Sequence, residues 1–318
     1  MVDNMKISGQ KPFQFIYRED LRTLPKNALD YEVNLHGGFA VDHDSDGRIF
    51  YGMPNLGLMS ISSDLKSQDI IDLPDKISSL NFHGIKIFTI DNTKRLVLSA
   101  NLDEKVIILT LEGKIDFILS RPEFEEYKSK SKIFKPTDTA ILNNDLYVAD
   151  GYGSNYISIV DLKTRKWKKI FAGQTDDPKA LGLFGTAHGL NLTPDAKSLS
   201  IADRPHSRFE HFTFEGDFKE SFNIPYGSKP CGIDFINWKG RSLGLVGSLD
   251  DPIEGKAAPI YILDGESYEL LSTIRPKEDL DIDIADHIHN AVWYEHNGGL
   301  YLICQAWNPG FYFVLELV

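Results

Sequence analysis

Cysteine is scarce. Cys231 and Cys304 are the two present in 318 residues, they lie far apart, and no disulfide framework can support the fold. No stretch approaches the roughly 18 consecutive apolar residues of a membrane-crossing helix. Positive charge is also short, with 34 basic against 46 acidic side chains and a net charge of −12. That balance weighs against nucleic acid or an anionic membrane as a partner and leaves a small molecule as the expected substrate. The opening segment, residues 1–12, has no apolar run of signal-peptide length and reads as a flexible N-terminus. Together with the few cysteines it makes a reducing, cytoplasmic setting the expectation. Helical periodicity is almost missing; Glu123 to Lys132 is the one stretch that reads as helical. What is present is a 42% apolar, 11% aromatic composition, enough for a large core and too much for a disordered chain.

The organising feature is a phrase that recurs six times. Its copies start at Gly37, His83, Thr137, His188, Cys231 and His289, at intervals of 43 to 58 residues. Repeats of that length belong to propellers and related arrays. Each copy opens a set of short strand-like runs separated by turn residues, four per repeat. The last repeat has only three before the chain ends, whereas Phe13 to Arg18 is a strand without a partner. The expected fold is therefore one all-β, six-bladed propeller over 1–318, its ring closed by the N-terminal strand completing the last blade.

In such a ring the opening residues of the six copies face a central channel. His83, His188 and His289 then stand in alternate blades and converge. Three neutral imidazoles suit a divalent transition metal, zinc above all, with a further position left for substrate. An isolated histidine more often bonds water or backbone; it is the shared register that favours a metal here. His287, two residues before His289, falls on the same side of an extended strand and is a candidate acid–base group. His36, His43, His206, His211 and His296 lie off the ring and read as surface or structural residues. Tyr152 and Arg204 occupy loops on the histidines' face. The tyrosine is expected to act as a base beside the ion rather than as its ligand, and the arginine to clamp a substrate carboxylate. Asp150 and Asp203 read as caps of those loops.

ProThrAsp at 136–138, AspGlyTyr at 150–152, HisGlyLeu at 188–190, AlaAspArg at 202–204, HisGlyIle at 83–85 and HisAsnAlaVal at 289–292 resemble motifs of the peptidyl-α-hydroxyglycine α-amidating lyases, propellers of the NHL-repeat type. The resemblance implies an enzyme that cleaves a carbinolamide N–C bond and carries catalytic zinc and structural calcium. It implies His83, His188 and His289 as zinc ligands, Tyr152 as the catalytic tyrosine and Arg204 as a substrate-side arginine. It also places the calcium at the carbonyls of Phe39 and Ile85 and at Asn290, a neutral side chain where the family has a carboxylate. A further departure is PheTyrGlyMetPro at 50–54, which lacks the family's first-blade arginine. The expected activity is thus a metal-dependent lyase on an α-hydroxy-amide or related small carboxylate. Two alternatives stand beside it: a non-catalytic NHL-type propeller that binds a protein or peptide on its top face, and a calcium-dependent lactonase.

Overall fold

The computed structural model describes residues 6–129 and 131–318. They form six antiparallel sheets in a ring. Blade 2 is representative: Phe82–Ile90, Thr93–Ala100, Lys105–Leu109 and Ile115–Ser120 run outward from the channel in chain order. Blade 6 combines Ile288–His296, Gly299–Ala306 and Phe311–Leu317 with the N-terminal strand Phe13–Tyr17, so the ring closes as the sequence predicts. In that closure Phe15 is opposite Leu317 and Tyr17 opposite Leu315. Ser8–Gln10 adds a fifth strand, where the sequence suggested a flexible terminus. It is held from the neighbouring blade: the Arg275 amide donates to Ser8 Oγ (2.8 Å) and the Thr273 amide to Gln10 Oε1 (2.7 Å).

The core explains why the inner strands are continuous apolar runs. Each blade buries both faces, so most residues of a middle strand find apolar partners; the strand Arg208–Phe212 is the departure, burying Arg208, Glu210 and His211 against polar partners. Along Lys105–Leu109, Val106 and Ile108 pack towards blade 3, while Ile107 and Leu109 pack towards blade 1. Six such clusters occur among the described residues, each spanning two consecutive blades. Of the helix expected over Glu123 to Lys132, the described residues form a single 3-10 turn, Glu125–Tyr127, with residue 130 outside them. No helix among the described residues is long and apolar enough to cross a membrane.

Candidate metal centre

The innermost strands deliver the three ring histidines at irregularities in their pairing. The register shifts between Phe82 and Gly84, between Ala187 and Leu190, and between Ile288 and Asn290. A bulge leaves one residue out of the ladder and re-aims its side chain, which here turns His83, His188 and His289 into the channel. The glycines that follow two of them are needed for close approach. A Cβ on Gly84 would lie 2.5 Å from the Thr137 carbonyl oxygen, and one on Gly189 would lie 2.3 Å from Gly232 Cα.

The three rings meet as expected, with centres 4.6 to 5.1 Å apart and planes crossed at 76° to 87°. His83 Nδ1–H donates to the Thr137 carbonyl (2.7 Å) and His188 Nδ1–H to the Cys231 carbonyl (2.5 Å). These bonds fix the tautomers, and each neutral ring presents a bare Nε2 lone pair to the axis. The two Nε2 atoms are 3.1 Å apart. His289 is fully buried with neither ring nitrogen partnered. Burial holds all three imidazoles well below the usual histidine range, so protons do not bridge them at neutral pH. Lone pairs at such a distance repel unless a cation lies between them. A divalent transition ion fits this donor set.

Tyr152 Oη lies 2.9 Å from His188 Nε2 and 3.2 Å from His83 Nε2. The phenol therefore touches the ligand atoms themselves, closer than its sequence position beside the ion suggested. Its single proton can go to only one of them. The loop that carries it is capped as predicted: Asp150 accepts from the Lys135 and Ser154 amides and from the Tyr127 hydroxyl (2.5, 2.8 and 2.8 Å). Asp203 likewise bonds His206 in its own loop (2.7 Å) and ties that loop to the connection entering blade 4 by accepting from the Gly185 amide (2.9 Å).

Arg204 departs from the expected clamp. Its guanidinium is buried, donating to Tyr152 Oη (3.1 Å) and facing Cys231 Sγ (3.5 Å). Burial raises the Tyr152 pKa, and the charge of Arg204 opposes that rise. Cys231 is thus a buried thiol packed against the arginine.

His287 is not brought into the cluster. Its Nδ1–H donates to the Leu249 carbonyl (2.6 Å), and its ring neighbour is Trp307, at 6.2 Å. The bulge is the physical reason, because it breaks the two-residue alternation that would have put His287 beside His289.

His36 is the residue the sequence reading missed. Its ring centre is 4.4 Å from that of His289 and 4.8 Å from that of His83. One nitrogen from each of these three rings lies within 4.8 Å of the others. A signal existed: His36-Gly37 repeats the dipeptide of His83-Gly84 and His188-Gly189, one residue out of register. Of the other off-ring histidines, His206 bonds Asp203, His211 bonds Tyr268 and His296 bonds Asn297 (2.7, 2.8 and 2.8 Å). His43 lines a chamber of about 320 Å³ below the centre.

Phe39, Ile85 and Asn290 do share the narrow passage under the histidines. Asn290 Oδ1 is buried without a partner. Lys86 occupies the same passage, however, with its ammonium 3.4 Å from Asp138 Oδ2. Calcium asks for six to eight oxygens, several of them charged. A neutral amide and two carbonyls are too few for that ion, and Asp138, the carboxylate of the passage, is already paired with Lys86.

No family model matches the chain. Two curated relatives from Xenopus laevis do. Peptidyl-glycine alpha-amidating monooxygenase A is 25% identical over 190 residues, which is 54% of this chain and 20% of the relative. Monooxygenase B is 25% identical over 297 residues, 85% of this chain and 32% of the relative. The chain thus spans between a fifth and a third of the length of these relatives. Among solved structures, a gluconolactonase of Xanthomonas campestris superposes with a TM-score of 0.61 at 12% identity, over 99% of this chain and 95% of that one. Kuenenia stuttgartiensis hydrazine synthase gives 0.50 at 14% identity, over 74% and 58%. At these identities the likeness to the solved structures is one of fold: this chain is a six-bladed β-propeller, weakly homologous to the amidating monooxygenases.

Proposed function

We propose that the protein is a metal-dependent lyase acting on a small α-hydroxy-amide or related carboxylate-bearing compound. One observation carries the reading: the bare Nε2 atoms of His83 and His188, 3.1 Å apart, share a contact with the hydroxyl of Tyr152. His83, His188 and His289 would hold the ion, zinc in first place. When bound, it supplies a Lewis acid that stabilises negative charge on the substrate oxygen. Tyr152, as phenolate, takes the proton of the carbinol hydroxyl; the C–N bond breaks as the carbonyl forms; and the tyrosine returns that proton to the departing amide nitrogen. The products are an amide and an aldehyde acid, with no net change in protons or electrons. Arg204 favours the phenolate by its charge and holds the ring in place.

The relatives' names support a substrate of this class, and the lost first-blade arginine, with Gly52 and Met53 in its place, argues for slow turnover of the peptide version. Lactone hydrolysis is the second reading. It is favoured by Asp138, Asn191, Asp234 and Asn290, oxygen-bearing side chains that line the channel below the histidines. The two separate in one assay. Zinc-loaded protein is given N-acyl-α-hydroxyglycines and a panel of sugar lactones. Aldehyde acid released with primary amide supports the lyase; lactone opening alone replaces it.

A further inference from the structure

We propose that His36 is a fourth imidazole ligand of this ion, closing the site from the channel mouth in the resting protein, and that Asn81 and Trp307 hold it there. The proposal rests on the metal reading above. Its first support is spacing. Four imidazoles on a tetrahedral ion, with metal–nitrogen distances of about 2.0–2.1 Å, place their ring centres about 5 Å apart. His36 meets that spacing against two of the three ring histidines, His83 and His289, at 4.8 and 4.4 Å.

The second support is how the ring is held. His36 stacks on Trp307, with centres 5.2 Å apart and planes 28° off parallel. It also lies 6.4 Å from Tyr152, 16° off parallel. Its Nδ1 is 3.2 Å from the Asn81 carboxamide nitrogen, which leaves Nε2 as the free atom. A half-turn of that carboxamide brings its buried, unpartnered Oδ1 against Nδ1–H, and the Asn101 carboxamide, whose Oδ1 accepts from Asn81 Nδ2 (3.1 Å), turns with it to keep their mutual bond. That arrangement fixes the tautomer with a bare Nε2, as the carbonyls of Thr137 and Cys231 do for His83 and His188. A third support is chemical. His36 is half-buried beside the fully buried His83, His188 and His289, so it stands on the side from which solvent would otherwise complete a three-histidine site.

His36 also differs from the ring ligands in its anchorage. It precedes the strand Phe39–Val41 rather than sitting within a strand ladder, and its Nδ1 rests on a side chain rather than a backbone carbonyl. It is therefore the ligand that a substrate oxygen displaces. A four-nitrogen resting site with one exchangeable imidazole follows, and the His36 loop becomes the gate.

The test uses the intact chain loaded with cobalt(II) or zinc. X-ray absorption of wild type should count four imidazoles, and His36→Ala three imidazoles and an oxygen. Zinc affinity should fall at least about tenfold in His36→Ala and in Asn81→Leu, with Asn81→Asp keeping wild-type affinity. Added imidazole should restore the wild-type cobalt spectrum to His36→Ala and leave wild type unchanged. His36→Gln, which keeps most of the volume, guards against a folding defect, and each variant's melting midpoint is measured alongside. If His36→Ala and His36→Gln bind zinc as wild type does, with unaltered cobalt spectra, His36 is not a ligand, while the three-histidine site stands. If wild type binds no stoichiometric metal, the site itself falls and this proposal with it.

Discussion

Ring closure makes the most quantitative prediction. Phe15 is fully buried in the blade 5–blade 6 cluster, its ring centre 6.4 Å from that of Trp293. Truncating a buried phenylalanine to alanine costs about 3–5 kcal/mol. At about 2.1 cal/mol/K of unfolding entropy per residue, a chain of this length has roughly 0.7 kcal/mol/K, so the Phe15→Ala melting midpoint should drop by about 6 °C. Removing residues 1–18 deletes Phe13, Phe15 and Ile16 together with the strand pairing to Phe311–Leu317, and should cost substantially more. The loss should reach the metal centre, because Trp293 lies on the same strand as His289. Calorimetry and zinc titration on wild type, Phe15→Ala and the truncated chain measure both effects. A truncated protein that melts within about 1 °C of wild type would refute the argument, since blade 6 would then hold with three strands.

Replacing His188 by alanine should abolish stoichiometric zinc, read by metal analysis after dialysis; a retained equivalent at the native site would remove the histidine from the ligand set. Tyr152→Phe should keep the metal yet lower kcat by about 10²–10⁴, with a smaller effect on KM. Arg204→Ala removes the charge that opposes the upward shift of the Tyr152 pKa, so the limb of the pH–rate profile that reports the phenolate should move to higher pH; an unmoved limb would show that Tyr152 is not the base. Stability should fall in acid. Burial and the charge of Arg204 push the pKa of His36 down to about 4, so between pH 6.5 and 4 the unfolded chain takes up a proton that the folded one refuses. Stability of the metal-free protein is therefore full above pH 6.5 and drops by about 3 kcal/mol from this residue as pH falls to 4; urea melts of wild type and His36→Ala across that range check it.

Much of the architecture was legible in the residues because propeller order is written in short-range pattern. Six copies of one phrase, turn residues at matching offsets, and a last repeat one strand short of its fellows determine the blades and the need for closure. The same register places His83, His188 and His289 at one ring, and the AspGlyTyr and AlaAspArg loops on its face. What the sequence could not supply was the direction of each side chain at a break in the ladder. A bulge before Asn290 turns His289 inward and leaves His287 on the wall, although alternation alone would pair them. Arg204 reads as a free cation near a mouth, and only packing shows it buried against Tyr152 and Cys231. His36 stands one residue outside the repeat register, on a connection with no strand geometry of its own. Its place beside His83 and His289 is decided by how blades 1, 2 and 6 meet around the axis, a contact between segments 47 and 253 residues apart in the chain.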